Sequence, residues 1–394
     1  MSESTVTTPQ VQIATITSEM VALARTQVGR WLRRDAHWPA IREPIARHDI
    51  RRWALYSCGD DNPLFIDESY GRRSVWGDNI APPTFLYSVD STIVGPGFPG
   101  IQWIHGGNRW QLFERVRPGD IVTSRARVIG VEEKRGKHVP YFVNQIGEVI
   151  YTNQHGQTVA RSEVDTLRVP RARSGGGFRG EGFEGGSEYH RQSYSEDEIA
   201  EFARAYLTEE RRGADPRYWE DVNLEERLPR VVKGPLTLVD IMAFYAGRRQ
   251  VYNPLKLAFL ERARHPANVY VSPQTGIPVH PAAGHLDVEI AKEVGFPDAY
   301  DQGWMRVNWA GHVVTNWCGD WGVIRELDVR NTLPNLLGDV TFCSGTVVDK
   351  KVVEGEHHVY LSLWGENQRG QRTVSGTAIV RLPSRDVKDS YLGW

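Results

Sequence analysis

The chain has 394 residues, of which 40% are hydrophobic and 24% are charged. These proportions are ordinary for a soluble globular protein, and the length predicts two structural units rather than one small core. The formal net charge of −2 gives no electrostatic reason to expect nucleic acid or an anionic membrane as a partner.

The cysteines and the N-terminus predict a cytoplasmic location. Cys58, Cys318 and Cys343 are far apart, form no CxxC pair and are odd in number, which argues against a disulfide framework. The first residues lack the basic start and the unbroken apolar run of a signal peptide. No segment approaches the roughly 18 apolar residues that a membrane-spanning helix needs.

The first half begins with helical patterns. Apolar residues at helical spacing predict a helix over Ser18–Arg34, with Ser18 as its N-cap. A second helix is expected over His48–Cys58, ending at Gly59. Pro82 and Pro83 suit the start of a third, in which Phe85, Val89 and Ile93 share one face.

After Gly107 the period of the apolar residues changes from helical to alternating. Val122, Ala126 and Val128 alternate with polar neighbours, and similar strand patterns cover Val139–Thr152 and Thr158–Pro170. A helix followed by a run of long strands indicates an α+β layer rather than a nucleotide-binding alternation. No GxGxxG motif opens a helix after a strand, and no Walker A motif is present.

A glycine-rich stretch separates two similar halves. It covers residues 174–187 and holds seven glycines, which predicts a linker or a surface loop. Three landmarks recur at nearly constant offsets, which indicates a tandem duplication. Asn153 recurs as Asn367 (367 − 153 = 214), Asp120 as Asp339 (339 − 120 = 219) and Asp67 as Asp287 (287 − 67 = 220).

The second half repeats the order of elements. A helix is expected over Leu238–Ala246, and a longer one over Gly303–Trp317 carries Met305, Trp309, Val313 and Trp317 on one face. Strand patterns follow it. Extra residues within roughly 250–284 have no counterpart in the first half and are expected to shape the rim of a pocket.

The motif residues resemble those of a known family. Asp60-x-Asn62-Pro63-Leu64-x-x-Asp67 resembles the hydratase motif of MaoC-like, R-specific enoyl-CoA hydratases, Asp-x-Asn-Pro-Leu/Ile-His-x-Asp, and Gly284-His285-Leu286-Asp287 resembles its latter part. The resemblance implies a tandem double hotdog, in which each of two central helices is wrapped by a long antiparallel sheet. It places the first half at 16–172, the linker at 173–189 and the second half at 190–385.

Neither half contains the complete catalytic pair of that family. Hydration of an enoyl thioester needs a base for water, an acid for Cα and donors for the enolate oxygen. The first half keeps Asp60, but Phe65 stands where the family has histidine and cannot transfer a proton. The second half keeps His285, but His280 stands where the family has aspartate.

Three interpretations of this incomplete pair remain open. In the favoured one, the second half is the active half, with His285 as principal acid–base group and His280 or Asp287 assisting. In the second, Asp60 and His285 meet in a composite site. In the third, both sites have decayed and the protein binds acyl thioesters without converting them.

The candidate residues also have structural interpretations. Asp60 and Asn62 are suited to holding a turn before proline, and Asp287 to capping the helical run after it. His285 could be a surface histidine and His280 an ordinary loop residue. Gly303 and Trp304, at the start of the second central helix, are the candidate oxyanion donors, while Asn62 and Phe65 are the remaining candidates for substrate contact.

The resemblance implies a cofactor-free hydratase or dehydratase acting on coenzyme A thioesters, with a bulky or long acyl group accommodated where Phe65 replaces histidine. No HxxxH or HExxH motif suggests a metal site. An acyl-CoA substrate is the expected partner, and hotdog sheets often associate further into homo-oligomers. A hotdog thioesterase and a non-catalytic subunit that binds acyl thioesters are the alternative functions.

Overall fold

The computed structural model describes residues 15–35, 41–136, 139–170, 190–249, 252–264, 270–272, 274–293 and 295–386. The predicted glycine-rich linker at 173–189 lies outside the described residues, as do the first 14 residues. Within the described ranges, no helix is long and apolar enough to cross a membrane. No cluster of three or more His, Cys, Asp or Glu side chains suited to a metal ion occurs in them either.

The architecture is a double hotdog built on one continuous ten-stranded sheet, in the order β1-β3-β4-β5-β2-β9-β12-β11-β10-β6. The two halves join where β2 pairs with β9, antiparallel like every other pair in this sheet. A small second sheet consists of β7 and β8. The strands are β1 (Trp31–Arg34), β2 (Gln102–Leu112), β3 (Thr123–Lys134), β4 (Phe142–Thr152), β5 (Thr158–Val169), β6 (Val231–Lys233), β7 (Tyr270–Val271), β8 (Pro278–Val279), β9 (Val323–Asn331), β10 (Thr341–Val353), β11 (Glu356–Asn367) and β12 (Arg372–Arg381).

Helices cover the sheet, and short 3₁₀ or π turns connect them. The α-helices are α1 (Ser18–Arg25), α2 (Arg47–Arg52), α3 (Pro63–Ile66), α4 (Glu68–Arg73), α5 (Glu196–Leu207), α6 (Leu238–Ala246), α7 (Leu255–Arg264), α8 (Val288–Glu293) and α9 (Gly303–Cys318). A π-helical turn, Trp53–Cys58, continues α2. The 3₁₀ turns are Phe85–Ser88, Trp219–Asp221 and Pro281–His285.

Equivalent hydrogen bonds in the two halves confirm the duplication. The amide of Asn153 donates to the Gln157 carbonyl at 3.0 Å, and that of Asn367 donates to the Gln371 carbonyl at 3.0 Å. Asp120 Oδ2 accepts from a backbone N–H three residues earlier, at 2.8 Å, and Asp339 Oδ2 does the same at 2.9 Å. Repeated local geometry of this kind follows from repeated sequence.

Helix α9 is the core of the molecule. All sixteen of its residues are buried, and it lies against β2 of the first half as well as strands β6 and β9–β12 of the second. The predicted face of Met305, Trp309, Val313 and Trp317 is buried, as is the rest of the helix. A helix that is buried all round needs no polar face.

The prediction of a helix that begins at Pro82 and Pro83 and carries Phe85, Val89 and Ile93 on one face is wrong. Only Phe85–Ser88 form a 3₁₀ turn there, and no helix follows it up to β2. Asp90 Oδ1 accepts from the Thr92 amide at 2.8 Å, and Thr92 has a left-handed φ of 68°. This turn diverts the chain, while Pro82 and Pro83 contribute no N–H groups to a helix.

The first predicted helix is also shorter than expected. It ends at Arg25 rather than Arg34, its N-cap is Thr17, and residues 31–34 form β1 on the edge of the sheet. Gly29 has a φ of 82° and donates to the Val128 carbonyl at 2.8 Å. The left-handed glycine ends the helical path and turns the chain towards β3.

Candidate functional site

A cavity of about 550 Å³, counted with its open mouth, lies beside the N-terminus of α9. Both halves contribute to it, because β2 of the first half forms one wall. The lining residues are Trp103, Ile104, His105, Leu167, His285, Phe296, Tyr300, Asp301, Gln302, Gly303, Arg306, Asn331, Thr332 and Pro334.

His285 lies in this cavity with one ring nitrogen fixed. Its Nδ1 is 3.0 Å from the Tyr300 carbonyl oxygen, and since a carbonyl only accepts, Nδ1 carries the proton. Burial, helped by the charge of Arg306, lowers the pKa of His285 to about 4. The imidazole is therefore neutral at physiological pH, and Nε2 has the free lone pair of a general base.

His280 and Asp287 have capping roles in the structure. His280 Nδ1 accepts from the Ala282 amide at 3.1 Å, as Asp60 Oδ1 accepts from the Asn62 amide at 2.9 Å. Asp287 Oδ1 accepts from the Glu289 amide at 2.9 Å and caps α8. Neither His280 nor Asp287 lines the cavity. His280 therefore makes the same local turn in the second half as Asp60 makes in the first.

The N-terminus of α9 opens into the cavity without a side-chain cap. The N-cap residue, Gln302, makes no capping hydrogen bond, because its side-chain amide instead donates to the Tyr245 hydroxyl. Gly303 lines the cavity, and Trp304 lies behind it, buried and stacked on His105 at 5.2 Å. The first N–H groups of a helix have no partner within it, so this end can bind a developing negative charge.

His105 of the first half fixes this end of α9. Its Nε2 lies 2.5 Å from Asn108 Oδ1, so Nε2 carries the proton, and Nδ1 accepts from Asn331 Nδ2 at 3.2 Å. The Asn331 amide also donates to the Gly303 carbonyl at 3.2 Å. Burial lowers the pKa of His105 to about 3. Both ring nitrogens of His105 are occupied by hydrogen bonds, so His105 positions the start of α9.

We expect Gly303→Ala to destabilise the protein. A Cβ at this position would lie 2.6 Å from His105 Nδ1 and 2.7 Å from Asn331 Nδ2, and both groups are held by other bonds. The free energy of unfolding should fall by about 1–3 kcal/mol in urea titration. In Gly311→Ala, the matched control in the same helix, the nearest atoms would be 3.6 Å and 3.7 Å away. That variant should be neutral or more stable by up to about 1 kcal/mol; equal losses in both would contradict a specific close approach at Gly303.

Asp301 is the carboxylate of the cavity. It is fully buried, and its Oδ2 accepts from Asn335 Nδ2 at 2.7 Å and lies 3.1 Å from Arg306 Nε. Burial raises the pKa of Asp301 to about 6, although Arg306 and Asn335 act in the opposite direction. Asp301 was not among the residues predicted from the sequence, because its only local signal is its place two residues before Gly303.

The first-half motif residues lie outside the lining of this cavity. Asn62 caps α3 by accepting from the Leu64 amide at 3.0 Å. Phe65 belongs to the hydrophobic core and is 3% exposed. Asp60 holds the turn before Asn62, and its Oδ1 lies 3.5 Å from Nε2 of His312, a buried residue of α9.

Asp60 belongs to a buried charged cluster, which we define as Asp60, Glu209, Lys233 and His312. Lys233 Nζ donates to His312 Nδ1 at 2.8 Å and to the Cys58 and Gly59 carbonyls at 2.9 Å each. His312 Nε2 faces Glu209 Oε1 at 3.0 Å. Burial alone would raise the pKa of Glu209, but His312 and Lys233 lower it to about 2.

The structure separates Asp60 from His285. His312, which faces Asp60, is nine residues along α9 from Gly303 (312 − 303). At about 1.5 Å per residue, that is roughly 13 Å of helix axis. Asp60 lies outside the lining of the cavity that contains His285, and the composite interpretation, which requires both side chains at one water molecule, stays a prediction. The first half contributes His105 to the cavity, and the second half contributes His285.

Comparison with known proteins supports the family resemblance of the motifs. Residues 35–162 match the family model described as FAS1-like, dehydratase domain region. A UPF0336 protein of Streptomyces griseus subsp. griseus is 27% identical over 126 residues, which are 30% of this chain and 80% of that protein. A UPF0336 protein of Thermobifida fusca is 26% identical over 120 residues, or 28% of this chain and 78% of that protein.

Solved structures share the fold of nearly the whole chain. A MaoC-like dehydratase aligns with a TM-score of 0.60 and 15% identity, covering 91% of this chain and all (100%) of that one. A putative MaoC domain protein dehydratase from Chloroflexus aurantiacus aligns with a TM-score of 0.57 and 12% identity, covering 90% and 96%. The similarity to MaoC-like dehydratases therefore extends from the motifs to the double hotdog.

Proposed function

We propose that this chain, which resembles the MaoC-like dehydratases, is a hydro-lyase that adds water reversibly to trans-2-enoyl-CoA thioesters. One observation carries the proposal. His285, neutral and with a free Nε2, shares a cavity with the uncapped N-terminus of a buried helix. A base for water and donors for an enolate oxygen are two of the three requirements for hydration.

The proposed base is His285 Nε2. The Tyr300 carbonyl accepts from Nδ1 and so fixes both the ring orientation and the tautomer. With a pKa of about 4, the imidazole is unprotonated at neutral pH, so the lone pair of Nε2 is available to a water molecule. A water held at Nε2 can attack C3 of an enoyl thioester as that proton is transferred.

The proposed oxyanion donor is the start of α9. Attack at C3 moves negative charge onto the thioester oxygen, and the Gly303 N–H group and the helix dipole favour charge at that point. Absence of a Cβ at Gly303 lets His105 Nδ1 and Asn331 Nδ2 approach and hold the start of α9. Trp304 supports this end of the helix by stacking on His105.

The first half is proposed to have given up its own site. Phe65 at the histidine position is buried in the core, and the Asp60 carboxylate is held in the charged cluster. The cavity beside α9 has an apolar wall formed by Ile104, Leu167 and Phe296. An apolar wall suits a bulky or long acyl group.

The test is a direct assay of the purified chain. Crotonyl-CoA and a longer or aromatic trans-2-enoyl-CoA are supplied, and loss of enoyl absorbance and release of free thiol are followed together. We expect enoyl loss without thiol release, and faster turnover of the bulkier substrate. Thiol release would instead identify a thioesterase, and binding without either change would identify a non-catalytic acyl-thioester-binding subunit; both outcomes overturn the proposal.

A further inference from the structure

Hydration needs a second proton-transfer group, and the family's position for it is occupied by His280. That side chain caps the turn at Ala282 and lies outside the cavity lining. The proton for Cα must then come from another residue of the cavity or from His285 itself. Four described lining residues besides His285 are titratable: His105, Tyr300, Asp301 and Arg306.

Three of these four are poorly placed for proton transfer. His105 has both ring nitrogens committed, to Asn108 and Asn331. Arg306 donates to the Leu333 carbonyl at 2.5 Å and the Thr373 carbonyl at 3.2 Å, and a guanidinium does not deprotonate in proteins. The Tyr300 hydroxyl is on the side of Gly284, 3.5 Å from where a Cβ there would stand.

Resting on the proposed hydratase function, we propose that Asp301 is the acid that delivers the Cα proton. It follows directly after Tyr300, whose carbonyl fixes His285, and it comes two residues before Gly303. The acid and the oxyanion donor Gly303 therefore belong to one short segment, to which the base His285 is hydrogen-bonded through the Tyr300 carbonyl. Asn335 binds both carboxyl oxygens, its backbone N–H donating to Oδ1 at 3.2 Å and its side-chain amide to Oδ2 at 2.7 Å, and Arg306 Nε lies 3.1 Å from Oδ2. These contacts give the carboxyl one orientation.

The proposed step balances in protons and electrons. His285 Nε2 takes one proton from water as the water oxygen bonds to C3. The C2=C3 π pair moves towards the thioester oxygen at the Gly303 N–H, and the resulting enolate takes the Asp301 proton at C2. The product has gained H and OH, while the imidazolium and the carboxylate recover their resting states by exchanging a proton with solvent.

The charged surroundings of Asp301 are consistent with an acid that works close to neutral pH. Burial raises its pKa to about 6, and Asp339 on the neighbouring loop acts in the same direction. The charge of Arg306 on α9 acts in the opposite direction and lowers the pKa of Asp301. His285 and His105, on the facing walls, are neutral. Asp339 is itself paired with Arg369 at 2.6 Å. Hydration then requires Asp301 protonated and His285 neutral.

The wild-type pH profile gives the first test. We expect kcat/KM for hydration to be bell-shaped, falling as pH drops through about 4, where His285 protonates. It should also fall as pH rises through about 6, where Asp301 loses its proton. A profile that stays level from pH 5 to 9 would overturn the assignment without any variant being made.

The variant Asp301→Asn gives the second test. Asparagine keeps an oxygen acceptor for Asn335 but has no proton to deliver, so kcat should fall by about 10²–10⁴-fold, with KM changed only a few-fold. The alkaline limb near pH 6 should disappear. In the dehydration direction, 2-deuterated 3-hydroxybutyryl-CoA should show a larger isotope effect than with wild type, because C2–H cleavage has become slower.

The matched control is Asp298→Asn. Asp298 is also buried and ion-paired, to Arg191 at 2.5 Å, but it lies outside the cavity lining. It should keep kcat and the isotope effect of wild type. A loss of activity in Tyr300→Phe but not in Asp301→Asn would overturn the assignment to Asp301. Wild type without any hydration would instead refute the proposed function, so the two failures are distinguishable.

Discussion

Replacing His285 by asparagine should lower kcat for enoyl-CoA hydration by about 10²–10⁴-fold, the usual contribution of a general base. The asparagine amide nitrogen can take the place of Nδ1 and keep the 3.0 Å bond to the Tyr300 carbonyl. The lone pair of Nε2 is lost. Steady-state kinetics with crotonyl-CoA should therefore show a fall in kcat with KM changed only a few-fold.

The informative control for this variant is His280→Asn. Asparagine is a good capping residue, so its Oδ1 can replace His280 Nδ1 as acceptor for the Ala282 amide. Hydration should stay within a few-fold of wild type. Equal losses in His280→Asn and His285→Asn would contradict the capping role and restore His280 as an assisting catalytic group.

Much of the fold was predictable because each copy of the duplicated sequence specifies its own short-range turns and caps. The Asn153 and Asn367 turns, and the Asp67 and Asp287 caps, are short-range structures that each repeat specifies by itself. Helix α6 has the predicted bounds, Leu238–Ala246. The first central helix was mispredicted because Phe85, Val89 and Ile93 have helical spacing, whereas a single turn at Asp90 decides the path of the chain.

The site was less predictable than the fold. His285 and Gly303 followed from the motif and from the start of the predicted helix, and both line the cavity. Asp301 did not follow, because its surroundings come from three separated segments that contain His285, Arg306 and Asn335. The role of His280 was also hidden, since a histidine and an aspartate can make the same local cap.

The charged cluster around His312 of α9 holds one fully buried carboxylate, that of Asp60, and one partly buried carboxylate, that of Glu209. Asp60 is 2% exposed, and His312 is 3% exposed. Lys233, itself 7% exposed, is the cation that faces them from β6. Burial lowers the pKa of Lys233, while Glu209 and Asp60 act to keep its proton. Such a group stabilises a fold only while every partner is present.

Lys233→Met should therefore lower the free energy of unfolding by about 3–5 kcal/mol, the usual cost of leaving a buried charge without its compensating partner. The Cys58 and Gly59 carbonyls lose their donor, Asp60 loses the charge of Lys233, and Glu209 keeps only Arg211, at 4.0 Å, as a nearby cation besides His312. Urea titration at pH 7 measures the loss. Hydration per folded molecule should change little, because Lys233 lies outside the cavity lining.

The matched control, Lys350→Met, separates the two contributions to this loss. Lys350 Nζ also donates to three carbonyls, those of Trp219, Glu220 and Val222, at 3.0, 3.5 and 2.9 Å. Unlike Lys233, Lys350 is partly exposed, and its Nζ hydrogen bonds are to carbonyls alone. Its removal should cost about 1 kcal/mol. Equal losses would show that carbonyl bonds, not buried carboxylates, dominate at Lys233.

The pH dependence of the free energy of unfolding is a second check. A Glu209 pKa of about 2, against an ordinary 4.5, gives stability that is present above pH 4.5 and is lost as pH falls towards 2. Lys233→Met should reduce this loss, because it removes one of the charges that lower the Glu209 pKa.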